Sequence, residues 1–238
     1  MKHFGTLRLP SGELALVDPC FIKNGVPEEL ASGGIEQHEE KVMVIKVPGD
    51  AEVFFEEKEE HGMRISTVML YFEDQFDLEK KNHEIIGFLA VDSAQMSYCD
   101  ARHLGENWID KHYDDQRIYR HKNTGRTLQY MKDFPNYAVP IAPEGGKTMN
   151  DLLESREWEK LPYSGTLDAS YNGLCHCHDD KESDIGSVND HIIVSGTGWG
   201  DGAYPVQIYR NDENQITCVS ITFMEDDPEF DMEDPEDI

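Results

Sequence analysis

The sequence has no long apolar runs, few basic residues and few cysteines. None of its apolar stretches approaches the ~20 residues that a membrane-spanning helix needs. The opening residues MKHFGT also lack the apolar region of a signal peptide. Five cysteines scattered over 238 residues do not resemble a disulfide framework. We therefore expect a cytoplasmic protein without a membrane segment.

Basic residues are outnumbered by acidic ones, with 21 lysines and arginines against 48 aspartates and glutamates and a formal net charge of −27. This charge repels nucleic-acid phosphates and anionic membranes, which argues against both kinds of partner. Solubility is the simplest role of such a charge. The alternative is recognition of a basic protein partner, including by a surface that imitates nucleic acid.

Strand-like runs bounded by Gly, Pro and Asn outnumber helical patterns, which predicts an α+β fold that is predominantly β. A helix is predicted over residues 150–159, because Asn150 can cap it and Pro162 stops it. Residues 225–238 carry two prolines and nine acidic residues, so residues 228–238 are predicted to be a disordered acidic tail. The predicted core comprises the apolar residues Val44, Ile45, Val68, Leu70, Phe72, Leu89, Ile192, Ile193, Ile208, Val219, Ile221 and Phe223.

Two parts of the chain resemble each other. Residues 47–74 and 200–226 each contain a Gly-Asp turn, a strand, a polar turn and a second strand that ends in an aromatic and acidic residues. Upstream, residues 11–18 parallel residues 93–100. This pattern predicts an internal duplication into two similar antiparallel β modules, 1–86 and 87–227, with a small helical insert around 148–160. Period-two patterning alone also makes unrelated hairpins look alike.

The densest loop signal lies in residues 195–206, SGTGWGDGAYPV. Glycine-rich loops can cradle phosphate with backbone amides, but here no lysine follows, and a strand rather than a helix comes next. The preferred interpretation is a structural turn in which Asp201 accepts hydrogen bonds from nearby amides and Gly202 provides positive φ. The candidate binding or turn motif is Trp199, Gly200, Asp201, Gly202 and Tyr204.

A second cluster is formed by Cys175, His176, Cys177 and His178. If it lay on a strand, alternation would place both thiols on one face and both imidazoles on the other, and either pair could bind zinc. Structural zinc sites, however, use cysteines two to four residues apart together with a second ligand pair. We therefore expect no metal and no cofactor, with these four residues as the alternative ligands.

Three aspartates at predicted turns, Asp18, Asp100 and Asp201, could converge with His103 or His176 if the two modules pack around a pseudo-two-fold axis. Such a set would suit metal-assisted hydrolysis. The simpler interpretation is that each aspartate stabilises its own turn. No Gly-x-Ser-x-Gly elbow or familiar cysteine nucleophile pattern is present. The sequence thus favours a binding or regulatory protein over an enzyme, with a metal-assisted hydrolase as the alternative.

The turn motifs resemble those of a bacterial and bacteriophage family of unknown function. Its members open with Ser-Gly and Asp-Pro, carry a central Val-Asp-Ser/Ala-Gly segment that ends in Asp, and close on Ser-Gly-x-Gly-Asp-Gly-x-Tyr-Pro-Val. The matching segments here are 11–19, 91–100 and 198–206. Ala94 replaces the usual central glycine, which suggests that this turn does not need positive φ, and Thr197 is inserted in the closing motif. The resemblance implies the fold but no activity.

Overall fold

The structure is a computed structural model that describes residues 1–22, 35–38, 41–60, 62–73, 82–179 and 183–224, with only the backbone described for 35–38. The predicted tail, 228–238, lies outside these ranges. The described residues contain three α-helices: α1 (Ala101–Asn107), α2 (Met149–Glu154) and α3 (Tyr171–Asp179). No helix in these ranges is long and apolar enough to cross a bilayer.

Antiparallel strands dominate the same ranges and confirm the predominantly β class. They are β1 (Lys2–Leu7), β2 (Glu13–Val17), β3 (Ile35–His38), β4 (Val42–Lys46), β5 (Ala51–Glu59), β6 (Met63–Tyr71), β7 (Asn82–Val91), β8 (Gln95–Asp100), β9 (Ile118–His121), β10 (Thr127–Gln129), β11 (Trp158–Lys160), β12 (Ile185–Asn189), β13 (Ile192–Gly196), β14 (Gly202–Arg210) and β15 (Ile216–Thr222).

The chain forms two compact units, one made of Met1–Asp110 with Asp168–Ile238 and the other of Lys111–Leu167. The larger unit is therefore interrupted by the smaller one. Where the larger unit's chain leaves and returns, the Ile109 amide donates to the Ala169 carbonyl oxygen at 2.8 Å. The two ends of the interruption consequently lie side by side.

Two six-stranded sheets form the larger unit. The first sheet has the order β1-β5-β6-β15-β14-β7 and the second β12-β13-β8-β2-β4-β3. Strand β5 shows why they stack: Ala51, Val53 and Phe55 are buried, whereas Glu52 and Glu56 are exposed, as expected for a strand with one face in a core. The main apolar cluster draws side chains from both sheets. The core therefore lies between them.

The second sheet is also covered on its other face. A separate apolar cluster joins that face to Ala101 and Leu104 of α1 and to Leu174 and Cys177 of α3. Helix α3 approaches β12 closely, and Gly186 makes this approach possible because it has no side chain. A Cβ at this position would lie 2.1 Å from the Cys177 carbonyl oxygen. The larger unit thus has three layers, two sheets and a helical layer.

The smaller unit contains the sheet β10-β9-β11 and helix α2, which pack around an apolar cluster of their own. The predicted helix over 150–159 is wrong at both ends. Thr148 is the N-cap, and it forms a capping box with Asp151. The helix ends at Glu154, Arg156 has a φ of 58°, and Trp158 begins strand β11.

The predicted core is confirmed with one adjustment. All twelve residues are buried except Phe72, which is partly buried against the main cluster. Val219, Ile221 and Phe223 belong to the same cluster, as expected for alternating residues that share one face of a strand.

Candidate functional site

A buried carboxylate, Asp18, holds the turn between β7 and β8. One oxygen accepts from the Cys20 amide at 2.8 Å, and the other accepts from the amides of Asp92 at 2.7 Å and Ser93 at 2.8 Å. The Ser93 hydroxyl donates to it as well. Asp18 is fully buried, so these donors replace the water that an ionised carboxylate needs. Asp18 therefore joins the end of β2 to a turn more than 70 residues away in sequence.

A second buried carboxylate, Asp100, holds the turn between β1 and β2. It caps α1 by accepting from the His103 amide at 2.8 Å, which satisfies a donor at the helix start. Its second oxygen accepts from the Ser11 amide at 2.9 Å and the Ser11 hydroxyl at 2.7 Å. The turn between β1 and β2 is thus held by an aspartate at the end of β8.

Each turn is also held by a second aspartate. Asp201 accepts from the Ala94 amide at 3.0 Å. Asp50 accepts from the Leu9 amide at 2.8 Å and from the Arg8 guanidinium at 2.9 Å. The two turns are therefore each held by two carboxylates that are distant from them in sequence.

The candidate catalytic residues therefore do not all lie at one site. Asp18 and Asp201 meet at the β7–β8 turn, whereas Asp100 serves the β1–β2 turn. The expectation that each aspartate stabilises its own turn fits Asp18 and Asp100, which accept from the nearby amides of Cys20 and His103, although each also holds a distant turn. It does not fit Asp201, which accepts from the Ala94 amide 107 residues away. His176 is a buried residue of α3.

The glycine-rich loop is a tightly packed turn. Gly198 and Gly200 have φ values of 58° and 94°, a conformation that favours glycine. A Cβ at Gly198 would lie 2.6 Å from both the Ile65 carbonyl oxygen and the Met224 side chain. The Gly200 carbonyl oxygen accepts from the Thr197 hydroxyl at 2.6 Å and the Tyr204 hydroxyl at 2.8 Å.

Two details of the predicted turn are wrong. Gly202 is not among the positive-φ residues and begins β14, so the left-handed positions are Gly198 and Gly200. Ala94, in contrast, has a φ of 56°. The β7–β8 turn therefore keeps the left-handed conformation although it has alanine and not glycine at this position. In the β1–β2 turn the left-handed residue is a glycine, Gly12, with a φ of 70°. Trp199, at the tip of the glycine loop, is half exposed.

The cluster of Cys175, His176, Cys177 and His178 lies on helix α3 and not on a strand. Successive helical side chains point about 100° apart, so the predicted separation into a thiol face and an imidazole face does not occur. Among the residues that the structure describes, no three His, Cys, Asp or Glu side chains are grouped to hold a metal ion.

Part of this cluster belongs to a hydrogen-bonded network. His178 Nδ1 lies 2.6 Å from an Asp184 carboxylate oxygen, and its Nε2 lies 3.0 Å from Gln95 Oε1. The Gln95 amide nitrogen donates to the Ser93 carbonyl oxygen and to Cys175 Sγ, both at 3.3 Å. The network ties α3 to β8 and to the β7–β8 turn.

A cavity of about 270 Å³ opens beside the β1–β2 turn. Four of the polar side chains that line it form two pairs. The Ser11 hydroxyl donates to Asp100, and the Arg102 guanidinium donates to Glu106 at 2.8 Å. The cavity is lined by Pro10, Ser11, Asp100, Arg102, His103, Glu106 and His191.

Two stacked imidazoles, His103 and His191, form one wall, with ring centroids 4.4 Å apart. Burial and the neighbouring His191 lower the pKa of His103. The amide nitrogens of Asn107 and Asn189 lie 3.4 and 3.3 Å from its two ring nitrogens. The His191 ring donates to the Arg8 carbonyl oxygen at 3.2 Å. The cavity therefore presents a neutral imidazole, a group able to accept a proton.

The model of a family described as proteins of unknown function, DUF4241, matches residues 7–221. The chain belongs to this family. Both carboxylate-held turns, the glycine-rich loop and the cavity lie within the matched span. Searches of curated proteins and of solved structures found no match.

Sequence reasoning missed His191 and the outward face of β5. His191 is a single histidine ahead of an apolar strand, and its ring partner is distant in sequence, so no local signal identifies it. The β5 residues Glu52, Phe54 and Glu56 do have a signal. Their spacing of two places them on one face of any strand, away from the buried alternate positions.

Proposed function

We propose that this chain is a cytoplasmic binding or regulatory module, of bacterial or phage origin, that acts by contact with a basic protein partner. The placement of its charge carries this proposal. The net charge is −27, and Glu52, Glu56, Glu59 and Glu60 are exposed along β5 and the following turn. A surface of one sign speeds encounter with an oppositely charged protein and selects such partners. Origin is proposed from the turn motifs described above.

The engagement of the buried aspartates also supports this proposal over hydrolysis. Both oxygens of Asp18 and of Asp100 accept hydrogen bonds, and Asp201 accepts from a backbone amide. A carboxylate that acts as a general base must be within reach of the substrate proton. Freeing these oxygens would leave buried amides without acceptors.

The internal duplication is part of the same proposal, with modules 1–86 and 87–227. Read from both ends, the sheet orders pair β1 with β7, β5 with β14 and β6 with β15, and also β3 with β12, β4 with β13 and β2 with β8. Strands β1 to β6 follow one another along the chain in the same order as their respective counterparts β7, β8, β12, β13, β14 and β15. Homologues whose two halves share no residue preference at Asp18 and Asp100 would contradict it.

The binding proposal is tested by capture from cytosolic extract on the immobilised protein, followed by titration with the purified partner. Binding should weaken steeply with salt, because the Debye length falls to roughly 3 Å at 1 M. A hydrolase substrate panel with and without divalent metal is run in parallel. Metal-dependent turnover that disappears in a folded Asp201→Asn variant would replace binding with the hydrolase alternative.

A further inference from the structure

The outward face of β5 in the first sheet combines an aromatic ring with two carboxylates. Residues Glu52, Phe54 and Glu56 point away from the core because the alternate residues are buried. In the sheet register they lie opposite Tyr71, Met69 and Thr67 of β6. Glu52, Phe54 and Glu56 are called the β5 face below.

Neighbouring rings fix the position of Phe54. Its ring centroid lies 4.8 Å from that of His3 and 5.3 Å from that of Tyr71, the latter in an edge-to-face arrangement. Such contacts stabilise aromatic pairs beyond their buried area. Phe54 is only partly buried, so a rigidly held part of the ring is presented at the surface.

Both flanking carboxylates are accessible. The Glu52 and Glu56 side chains are each 48% exposed, and a Glu56 carboxylate oxygen lies 3.8 Å from the Met1 amino nitrogen. Glu52 accepts from the Thr6 hydroxyl and lies against the His3 ring, each at 2.7 Å, and these hydrogen bonds lower its pKa. It is therefore ionised at neutral pH. A carboxylate accepts about four hydrogen bonds, which leaves capacity for a cationic donor from outside.

We infer that the β5 face docks an extended segment of a basic protein partner in which lysine or arginine occupies alternate positions. A cation over an aromatic ring, flanked by carboxylates, is stabilised by the ring quadrupole and by ion pairing. This inference rests on the proposed function, since it assigns a surface and a ligand chemistry to that binding.

The spacing of the face sets the spacing of the segment. Residues two apart in a strand are separated by ~6.7 Å, so Glu52, Phe54 and Glu56 form a ladder of that repeat. An extended peptide with a basic residue at every second position has the same repeat. Three successive cations can then meet the first carboxylate, the ring and the second carboxylate together.

Two synthetic peptides of identical composition test this inference. One alternates lysine with serine, and its isomer places all lysines next to one another. Their affinities for the full-length protein are measured by fluorescence anisotropy at low and high salt. Three variants are compared: Glu52→Gln with Glu56→Gln, Phe54→Leu, and a matched control that neutralises the exposed Glu106 and Glu154 instead.

The alternating peptide should bind more tightly than its isomer. Its affinity should fall about three- to tenfold in the Glu52/Glu56 variant and about two- to threefold in Phe54→Leu, while the matched control should change it by less than about twofold. Equal binding of the two peptides, or equal losses in the double variant and its control, would overturn the β5 face and leave salt-dependent binding intact. Failure of the alternating peptide to bind at low salt would overturn the β5 face, and failure of the purified partner in the salt titration would overturn the proposed function.

Discussion

Replacement of Asp18 by alanine should destabilise the larger unit more than any other single aspartate substitution at the turns. The carboxylate is fully buried and accepts from three backbone amides and one hydroxyl. Two of these amides, from Asp92 and Ser93, are more than 70 residues away in sequence. The substitution therefore removes an acceptor that joins the end of β2 to the β7–β8 turn.

The magnitude follows from the donors that lose their acceptor. Each buried amide left unsatisfied costs about 1–2 kcal/mol, and the Ser93 hydroxyl can rotate toward another acceptor. Three amides give an expected loss of about 3–6 kcal/mol in the free energy of unfolding. Asp201 accepts a single bond at an exposed position, so Asp201→Ala should cost only about 0.5–1 kcal/mol.

Urea unfolding followed by far-UV circular dichroism measures both values. Asp18→Asn should be intermediate, since one oxygen remains to accept while the new amide group faces donors. A double-mutant cycle with Ser93→Ala should show coupling, because the two side chains touch. Equal losses for Asp18→Ala and Asp201→Ala would refute the claim that Asp18 is the principal acceptor.

Three further substitutions test the turns and the cavity. Gly198→Ala should cost about 2–4 kcal/mol, because φ is positive and the new Cβ would lie 2.6 Å from a backbone oxygen; Gly49→Ala, with open space around it, should stay within about 0.5 kcal/mol, and similar melting temperatures for both would contradict this. Ala94→Gly should stabilise by about 0.5–1 kcal/mol by relieving the left-handed conformation, less the entropy cost of glycine, and a lower melting temperature would count against it. The lowered pKa of His103 means that the unfolded chain binds more protons just below pH 6.5, so stability should fall as pH drops through that range; His103→Gln should show a shallower fall in melting temperature, and an unchanged slope would disprove the assignment.

Patterns local to a strand were predictable from the sequence. The sequence pattern predicts strands over 204–210 and 215–223 around the polar residues 211–214, and the structure has them at Gly202–Arg210 and Ile216–Thr222. Here alternation, β-branched residues and a polar turn all point to the same structure, and agreement between such local signals makes a prediction reliable. The buried side of this hairpin followed directly from its period of two.

Helix α3 was not predictable from local signals. Its sequence, YNGLCHCHD, contains few strong helix formers and a glycine. What stabilises it is packing: Leu174 and Cys177 contribute to the apolar cluster under the second sheet, and Gly186 permits the close approach to β12. Tertiary contacts here override propensity.

The reciprocal hold on the turns was also beyond sequence reasoning. Asp18 and Asp100 were recognisable as turn aspartates, but a carboxylate bonds local and distant amides equally well. Which amides each carboxylate reaches depends on how distant strands pack against each other, and the spacing of residues along the sequence does not show this. Ala94 misled for a related reason, since the four donors around the turn offset the strain that its side chain introduces.

The hydrogen bond between Ile109 and Ala169 has a consequence for how this family can diversify. Because the larger unit brings its own chain ends together, closing them needs only a short linker. We therefore expect that residues 111–167 can be lengthened, shortened or exchanged for another small domain while the two sheets still fold. Variation among relatives should concentrate in that segment.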